Sequence, residues 1–307
     1  MVGAGSFAAV KGSSAGGLGS VGRVRIASLV PSTTEIVAAL GQAEALVART
    51  HECDHPAGIA HAVPVTRDLL PPGLAPAEID EAVARSVRDV HTIYALDAAM
   101  LEAARPDVVL TQSTCAVCAV DRAALAACSM GEARVVSYDP ASLCGILDGI
   151  RDIAGALGVP EDGERLVEDL RGRLDAVAVR TGGRDRARVA VVEWPDPVYA
   201  PGHWLPDLVE AAGGRPVFGV AGARSARSSV DDLCASRPDV VVLAFCGYDL
   251  ATTEAMAGDL AQRPYWEPVR DLGVPVVCVD GSAHFSRPGP RVVDGVEHLA
   301  GLLDAVA

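Results

Sequence analysis

The chain is predicted to be an α/β protein of two lobes, each built on a mostly parallel sheet, joined by one long helix. Three observations predict this. Apolar β-type runs alternate with helix-type segments along the chain, a pattern that places helices on both faces of parallel sheets. A short motif recurs in the two halves: Arg105-Pro106-Asp107-Val108-Val109-Leu110 and Arg237-Pro238-Asp239-Val240-Val241-Val242-Leu243. Between the halves, Leu166, Leu170, Leu174 and Val177 recur at helical spacing with no Gly-Ser linker among them.

The elements follow in order. Residues 1–22 are rich in Gly, Ser and Ala and are expected to be a disordered leader, or the product of a start codon placed too early. The first lobe is expected over 23–158. It opens with a strand at Arg25–Val30, and Pro31-Ser32-Thr33-Thr34-Glu35 starts a helix. Ser32 with Glu35 three residues on has the spacing of a capping box. In the repeated motif, Pro ends the preceding helix, Asp stands in the turn and the β-branched run forms the strand. Pro160–Thr181 is the expected connecting helix within a 159–182 spacer. The second lobe is expected over 183–307. It has a strand at Ala187–Val192, a helix at Trp204–Ala212 stopped by Gly213-Gly214, and a last strand at Val276–Val279.

A chain of 307 residues exceeds one ordinary core, and 50% apolar with 21% charged residues gives ample material to bury. The formal charge of −14, without a basic run, repels phosphate backbones, so no nucleic-acid partner is expected. No apolar stretch approaches the ~20 residues of a membrane span, so no membrane insertion is expected. Residues 1–22 carry no apolar core behind a charged start, so a secretory signal is not expected and the cytoplasm is the expected location. Eight cysteines in such a chain do not suggest a disulfide framework. Cys128, Cys144, Cys234 and Cys278 lie in apolar contexts and are read as buried small hydrophobes. Walker loops, Gly-x-Ser-x-Gly elbows and His-Glu-x-x-His helices are absent, so common hydrolase and kinase readings lack support.

Three chemically distinctive segments fall just after predicted strands. They are His51-Glu52-Cys53-Asp54, Cys115-Ala116-Val117-Cys118 and Cys246-Gly247. Ligands of open α/β sheets bind outside the carboxyl ends of the strands, so these segments can converge on one cleft. The metal candidates are Cys53, Cys115, Cys118, Cys246 and His51. Four thiols satisfy zinc or an Fe–S cluster, three leave a cluster iron open, and the Cys-x-x-Cys pair alone suits a dithiol switch. The other reading of these cysteines is small residues packing tight loops. His51 shares a face with Cys53 in an extended segment and suits a soft divalent metal. Its alternative is an ordinary loop histidine. Glu52 and Asp54 read as loop-stabilising groups.

Glu193-Trp194 and Gly202-His203-Trp204 flank a Pro-rich loop that also holds Tyr199. The indoles suit a flat, partly apolar ligand, with His203 as polar handle or axial ligand. Equally, the indoles wedge the lobes together. Arg287 suits a ligand carboxylate or phosphate, or else pairs with a nearby acid. His91 and Tyr94 are rim candidates.

Taken together, several motifs resemble a known family. Ala27-Ser28-Leu29-Val30-Pro31-Ser32-Thr33-Thr34-Glu35-Ile36-Val37, followed by Leu40-Gly41, resembles the opening of class III substrate-binding proteins of ABC importers, in the branch called cobalamin-binding proteins. The segments His51–Asp54, Cys115–Val120, Gly202–Pro206, Cys246-Gly247 and Phe285–Arg291 resemble motifs of a mainly signal-less subgroup. The resemblance runs from about Arg25 to Ala300. It implies two Rossmann-like lobes, one long connecting helix and a ligand between the lobes. It further implies a corrinoid (cobalamin) or another metal-containing cofactor as ligand, with an importer permease as the family's partner. The ligand-binding candidates are then Ser32, Thr33, Glu193, Trp194, His203, Trp204, Phe285 and Arg287. Three functions follow as expectations: a cytoplasmic binding protein for such a cofactor; a metalloenzyme on the same scaffold with Cys/His-ligated iron, an Fe–S cluster or zinc; or a thiol redox or metal-delivery protein.

Overall fold

The structure, a computed structural model, describes residues 24–89, 93–112, 125 and 128–306. The first half runs β1 (Ile26–Ser28), α1 (Pro31–Ala39), β2 (Leu46–Arg49), β3 (Val63–Pro64), β4 (Thr66–Asp68), α2 (Pro76–Asp89), β5 (Tyr94–Leu96), α3 (Ala98–Ala104), β6 (Val108–Thr111) and β7 (Arg134–Ser137). Five of these strands form one sheet in the order β3-β2-β1-β6-β7, and every pairing in it is parallel. β4 and β5 pair antiparallel as a separate ribbon. Helices α4 (Leu143–Leu157) and α5 (Pro160–Thr181) follow.

The second half holds β8 (Arg188–Val192), β9 (Trp194–Pro195), β10 (Val198–Ala200), α6 (Leu205–Ala211), β11 (Arg215–Pro216), β12 (Ala226–Arg227), α7 (Val230–Ala235), β13 (Val240–Leu243), α8 (Leu250–Leu260), α9 (Glu267–Asp271), β14 (Val276–Cys278) and α10 (Val292–Val306). Its main sheet has the order β11-β8-β13-β14, again all parallel. The predicted α/β class with two parallel sheets is therefore what the chain forms. β6 and β13 are buried along their whole length, which is why both read as unbroken Val/Leu runs rather than as alternation.

The sequence echo marks a repeated piece of construction. Asp107 Oδ2 accepts from the Arg25 backbone N–H at 2.8 Å, and Asp239 Oδ2 accepts from the Arg188 N–H at 2.7 Å. The Arg25 side chain donates back to the Ala104 and Arg105 carbonyls, and the Arg188 side chain to those of Ser236 and Arg237. Arg105 and Arg237 both adopt positive φ, at 43° and 47°. Each copy thus ties the entry of a central strand to the end of the preceding helix.

Helix α5 is a spine of 22 residues with Glu161 and Asp162 in its first turn and Arg180 in its last, the order that suits its dipole. Val167 and Leu170 enter the core of the first lobe, Val177 enters that of the second, and Leu174 packs against both. The last helix, α10, spans the same divide. Val292 and Val293 join the first core, while Val296, Leu299 and Ala300 join the second. Gly163 sits where α5 meets α4, and a Cβ there would lie 2.4 Å from the Ala154 methyl.

Two local expectations need correction. Helix α1 is capped by Val30 with no side-chain hydrogen bond, and Pro31 takes the first helical position. Ser32 therefore lies inside the helix, and Glu35 turns away from the helix start to face arginines of the second lobe. Cys144 is exposed and Cys128 only half-buried, while Cys234 and Cys278, also half-buried, pack against the edge of the second lobe's core. Cys144 follows the N-cap Ser142 at the open start of α4.

Candidate ligand cleft

The carboxyl ends of β1 and β2 in the first lobe face the carboxyl end of β13 in the second. Between them lies a cavity of about 110 Å³ among the described residues. Ser32, His51, Thr66, Tyr94 and Gln112 line it from the first lobe, and Cys246, Gly247, Ser282, Ser286 and Arg287 from the second. Most arrive from the tip of a main-sheet strand: Ser32 beyond β1, His51 beyond β2, Gln112 beyond β6, Cys246 beyond β13, and Ser282 to Arg287 beyond β14; Thr66 and Tyr94 come from the β4–β5 ribbon. This is the position at which open α/β sheets bind ligands.

Two wall atoms are buried without a hydrogen-bond partner among the described residues: Ser32 Oγ and His51 Nε2. A buried polar atom left unpaired costs about 1–3 kcal/mol. Such atoms on a cavity wall are therefore available to a bound group.

An ion network closes the cavity on one side. Glu35, whose side chain is only 3% exposed, accepts from Arg291 at 2.5 and 2.9 Å. Arg287 Nη1 stands 3.4 Å from Glu35 and 2.5 Å from Asp54, and Nη2 donates to the Glu52 carbonyl at 3.3 Å. Burial alone would raise the Asp54 carboxyl. The hydrogen bond and charge of Arg287 outweigh burial and hold it below the ordinary aspartate value. Tyr138, buried in the first lobe, donates its hydroxyl to the Pro288 carbonyl at 2.6 Å, and burial pushes its pKa up.

A second seam joins the lobes at α2. Trp194 Nε1 donates to the Pro76 carbonyl at 3.2 Å, Tyr199 donates to Asp80 at 2.8 Å, and Arg227 pairs with Asp80. Trp204 packs against both main cores and donates to the Phe285 carbonyl at 2.8 Å. These indoles sit where they wedge the lobes together.

Of the sequence candidates, the structure brings Ser32, His51, Cys246 and Arg287 to one cavity wall. Thr33 is buried behind it, with its hydroxyl 3.0 Å from the Val30 carbonyl and 2.7 Å from the Ser28 hydroxyl. Phe285 is fully buried in the second core. Glu193, Trp194, His203 and Trp204 are not on the cavity wall. His203 has a positive φ of 48°, and burial pushes its pKa down, with Arg224 adding to the shift. Cys53 belongs to the first core at 4% exposure, its sulfur 3.0 Å from the Thr34 hydroxyl and 3.1 Å from that of Thr50. Burial pushes its thiol pKa up, which disfavours the thiolate a metal needs. Cys115, Cys118 and His91 lie outside the described residues.

The sequence reading missed Thr66, Gln112, Ser282 and Ser286 on the wall. Gln112 and Ser282 do carry a signal, since each stands within a few residues of a strand end. Thr66 carries none, because β4 belongs to neither main sheet.

The sequence profile of the periplasmic binding protein family matches residues 26–270. The chain belongs to that family. No curated protein matches the chain in sequence. Among solved structures, the chain is similar to the periplasmic vitamin B12 binding protein BtuF of Vibrio cholerae. The two share 19% identity with a TM-score of 0.66, over 92% of this chain and 97% of the other. It is similar also to the periplasmic heme-binding protein RhuT from Roseiflexus sp. RS-1 in apo form, at 20% identity and a TM-score of 0.67, over 93% and 100%. A third is a possible iron-binding (periplasmic solute-binding) protein from Staphylococcus epidermidis ATCC 12228, at 19% identity and a TM-score of 0.67, over 91% and 98%. At these identities the likeness concerns the fold: two α/β lobes of the class III type about a central cleft.

Proposed function

We propose that this chain is a substrate-binding protein whose interlobe cleft receives a corrinoid, held partly through its metal. The observation that carries the reading is the meeting of both sheets' carboxyl ends on one cavity, with an imidazole, a cysteine and an arginine on its wall. His51 and Cys246 are the residues suited to a metal centre, and Arg287 to an acidic peripheral group. Solved relatives described as vitamin B12, heme and iron binding support the ligand class.

Size sets a condition on this reading. Drug-sized ligands occupy pockets of roughly 300–1,000 Å³. A corrinoid therefore enters only if Arg287 parts from Asp54 and Glu35 and the cleft widens. The cytoplasm is the proposed compartment, and an importer permease is the family-type partner to test. Cell fractionation checks the compartment: recovery with cytoplasmic markers is expected, and release with the cell envelope contradicts it. Ligand binding is checked by titrating the purified chain with aquocobalamin and, separately, haemin. A one-to-one complex with a shifted corrinoid spectrum is expected. A complex with haemin alone would replace the corrinoid by a porphyrin.

A further inference from the structure

We propose that His51, Glu52 and Asp68 form a divalent-cation site at the mouth of the cleft, with an open coordination position facing the cavity. The site shares His51 with the corrinoid reading, and its test uses the metal alone, without cobalamin.

The backbone builds it from two pieces. His51 and Glu52 lie in the turn after β2. Thr66 and Asp68 are two residues apart on β4, so their side chains share a face. Tyr94 stands directly opposite Asp68 on β5. Thr66 Oγ1 holds the imidazole at one end, 2.7 Å from His51 Nδ1, and also accepts from the His51 backbone N–H at 3.1 Å. The Tyr94 ring packs edge-on to the imidazole at 5.1 Å between centroids. A hydroxyl oxygen has two lone pairs, so Thr66 can accept from both nitrogens of His51. In the tautomer with the proton on Nδ1, Nε2 keeps a lone pair to give. A metal-bound histidine is commonly oriented in this way by a partner on its other nitrogen.

Nε2 is buried and makes no hydrogen bond among the described residues. It stands 3.4 Å from Glu52 Oε1 and 3.3 Å from Asp68 Oδ1. One donor atom from each of the three residues lies within 4.8 Å of the others. Donors about 2.1 Å from a tetrahedral ion stand about 3.4 Å from one another. Both separations from Nε2 match that value, and the two carboxylates lie within 4.8 Å of one another, close enough for one ion to reach all three. One neutral imidazole and two carboxylates bring two negative charges, matching a divalent ion, and a nitrogen–oxygen set suits zinc, iron(II), cobalt(II) or manganese(II). His51 and Glu52 line the cavity, so the open position faces the cleft. Cys53 has no part in this site.

Cobalt(II) titration of the metal-free full-length chain tests the site, because its absorption distinguishes thiolate from nitrogen and oxygen ligands. We expect one cobalt per chain with visible d–d bands and no thiolate charge-transfer band. Asp68→Asn and His51→Gln should each weaken binding by about 10- to 100-fold or more. Cys115→Ser/Cys118→Ser should leave this binding unchanged. Asp68 is exposed, so Asp68→Asn retains the fold and carries the test even if the His51 variant does not fold. Wild-type affinity in Asp68→Asn, a thiolate band lost with Cys115 and Cys118, or no cobalt bound at all would each overturn the site. None of these outcomes depends on whether cobalamin binds.

Discussion

Glu35 shows how one residue carries the contact between lobes. Its carboxylate is buried, and its partners Arg291 and Arg287 come from more than 250 positions along the chain. Removing one partner of a buried pair leaves an uncompensated charge, at a cost of about 3 kcal/mol. Arg291→Ala should lower unfolding free energy by about that amount in urea titrations, whereas loss of an exposed pair such as Arg85–Glu81 should cost about 0.5 kcal/mol or less. Acidification should act in two stages. Burial pushes His203 and His284 below the ordinary histidine value, so the unfolded chain binds protons first. Their contribution is present above the unfolded value of about 6.5 and is lost as pH falls below it. Asp54, held low by Arg287 against burial, contributes above an unfolded value of about 3.9 and loses that contribution at lower pH. Unfolding at pH 7.5 and 5.5 should show the first stage. His203→Asn, which also suits the positive φ, should shrink the difference between the two.

Legibility at this scale depended on how near the partner lay. His51, Cys246 and Arg287 could be singled out because each follows a strand end. Glu35 was misread because Ser-x-x-Glu also spells a helix start, and its arginine partners lie in the other lobe. Cys53 was misread because a period of two in an extended segment says nothing about a turn, and its sulfur folds back onto Thr34 and Thr50.

Among the elements, the paired strand entries at Asp107 and Asp239 make the same hydrogen bonds in both lobes. Asp107→Ala and Asp239→Ala should therefore destabilise by similar amounts, each about 1.5–3 kcal/mol, measured by urea unfolding. A large inequality would mean that the two copies are alike in sequence only. The packing of α4 on α5 gives a prediction of opposite sign to helix propensity. Gly163→Ala gains about 1 kcal/mol as a helix former. Its new methyl would meet Ala154 at 2.4 Å, and overpacking costs about 1–3 kcal/mol. The clash should win, lowering the melting temperature, whereas Gly172→Ala on the same helix, with nothing within 4 Å, should raise it. The long helix and the β-branched strands were legible because their periodicities are strong. The β4–β5 ribbon was not, since its strands are three residues each and do not alternate cleanly.

For the whole molecule, alternation of strands and helices, a repeated strand entry and a rigid spacer were enough to predict two lobes about a cleft. They did not predict how tightly the lobes are closed. The Glu35–Arg291–Arg287–Asp54 network and the seam of α2 against Trp194, Tyr199 and Arg227 join residues far apart in sequence. Closure is thus a property of the assembled pair of lobes. It makes cleft opening the step that a bulky ligand must drive, and a ligand can shift that balance only by its preference for the open or refitted state.

The most direct test is a titration of the full-length protein with aquocobalamin, followed by its visible spectrum, alongside Ser282→Trp, which fills the cavity wall. The account predicts one corrinoid per chain, a spectral shift from a new axial ligand, and loss of binding in Ser282→Trp. An unchanged cobalamin spectrum with no retained corrinoid, or equal binding in Ser282→Trp, would contradict it.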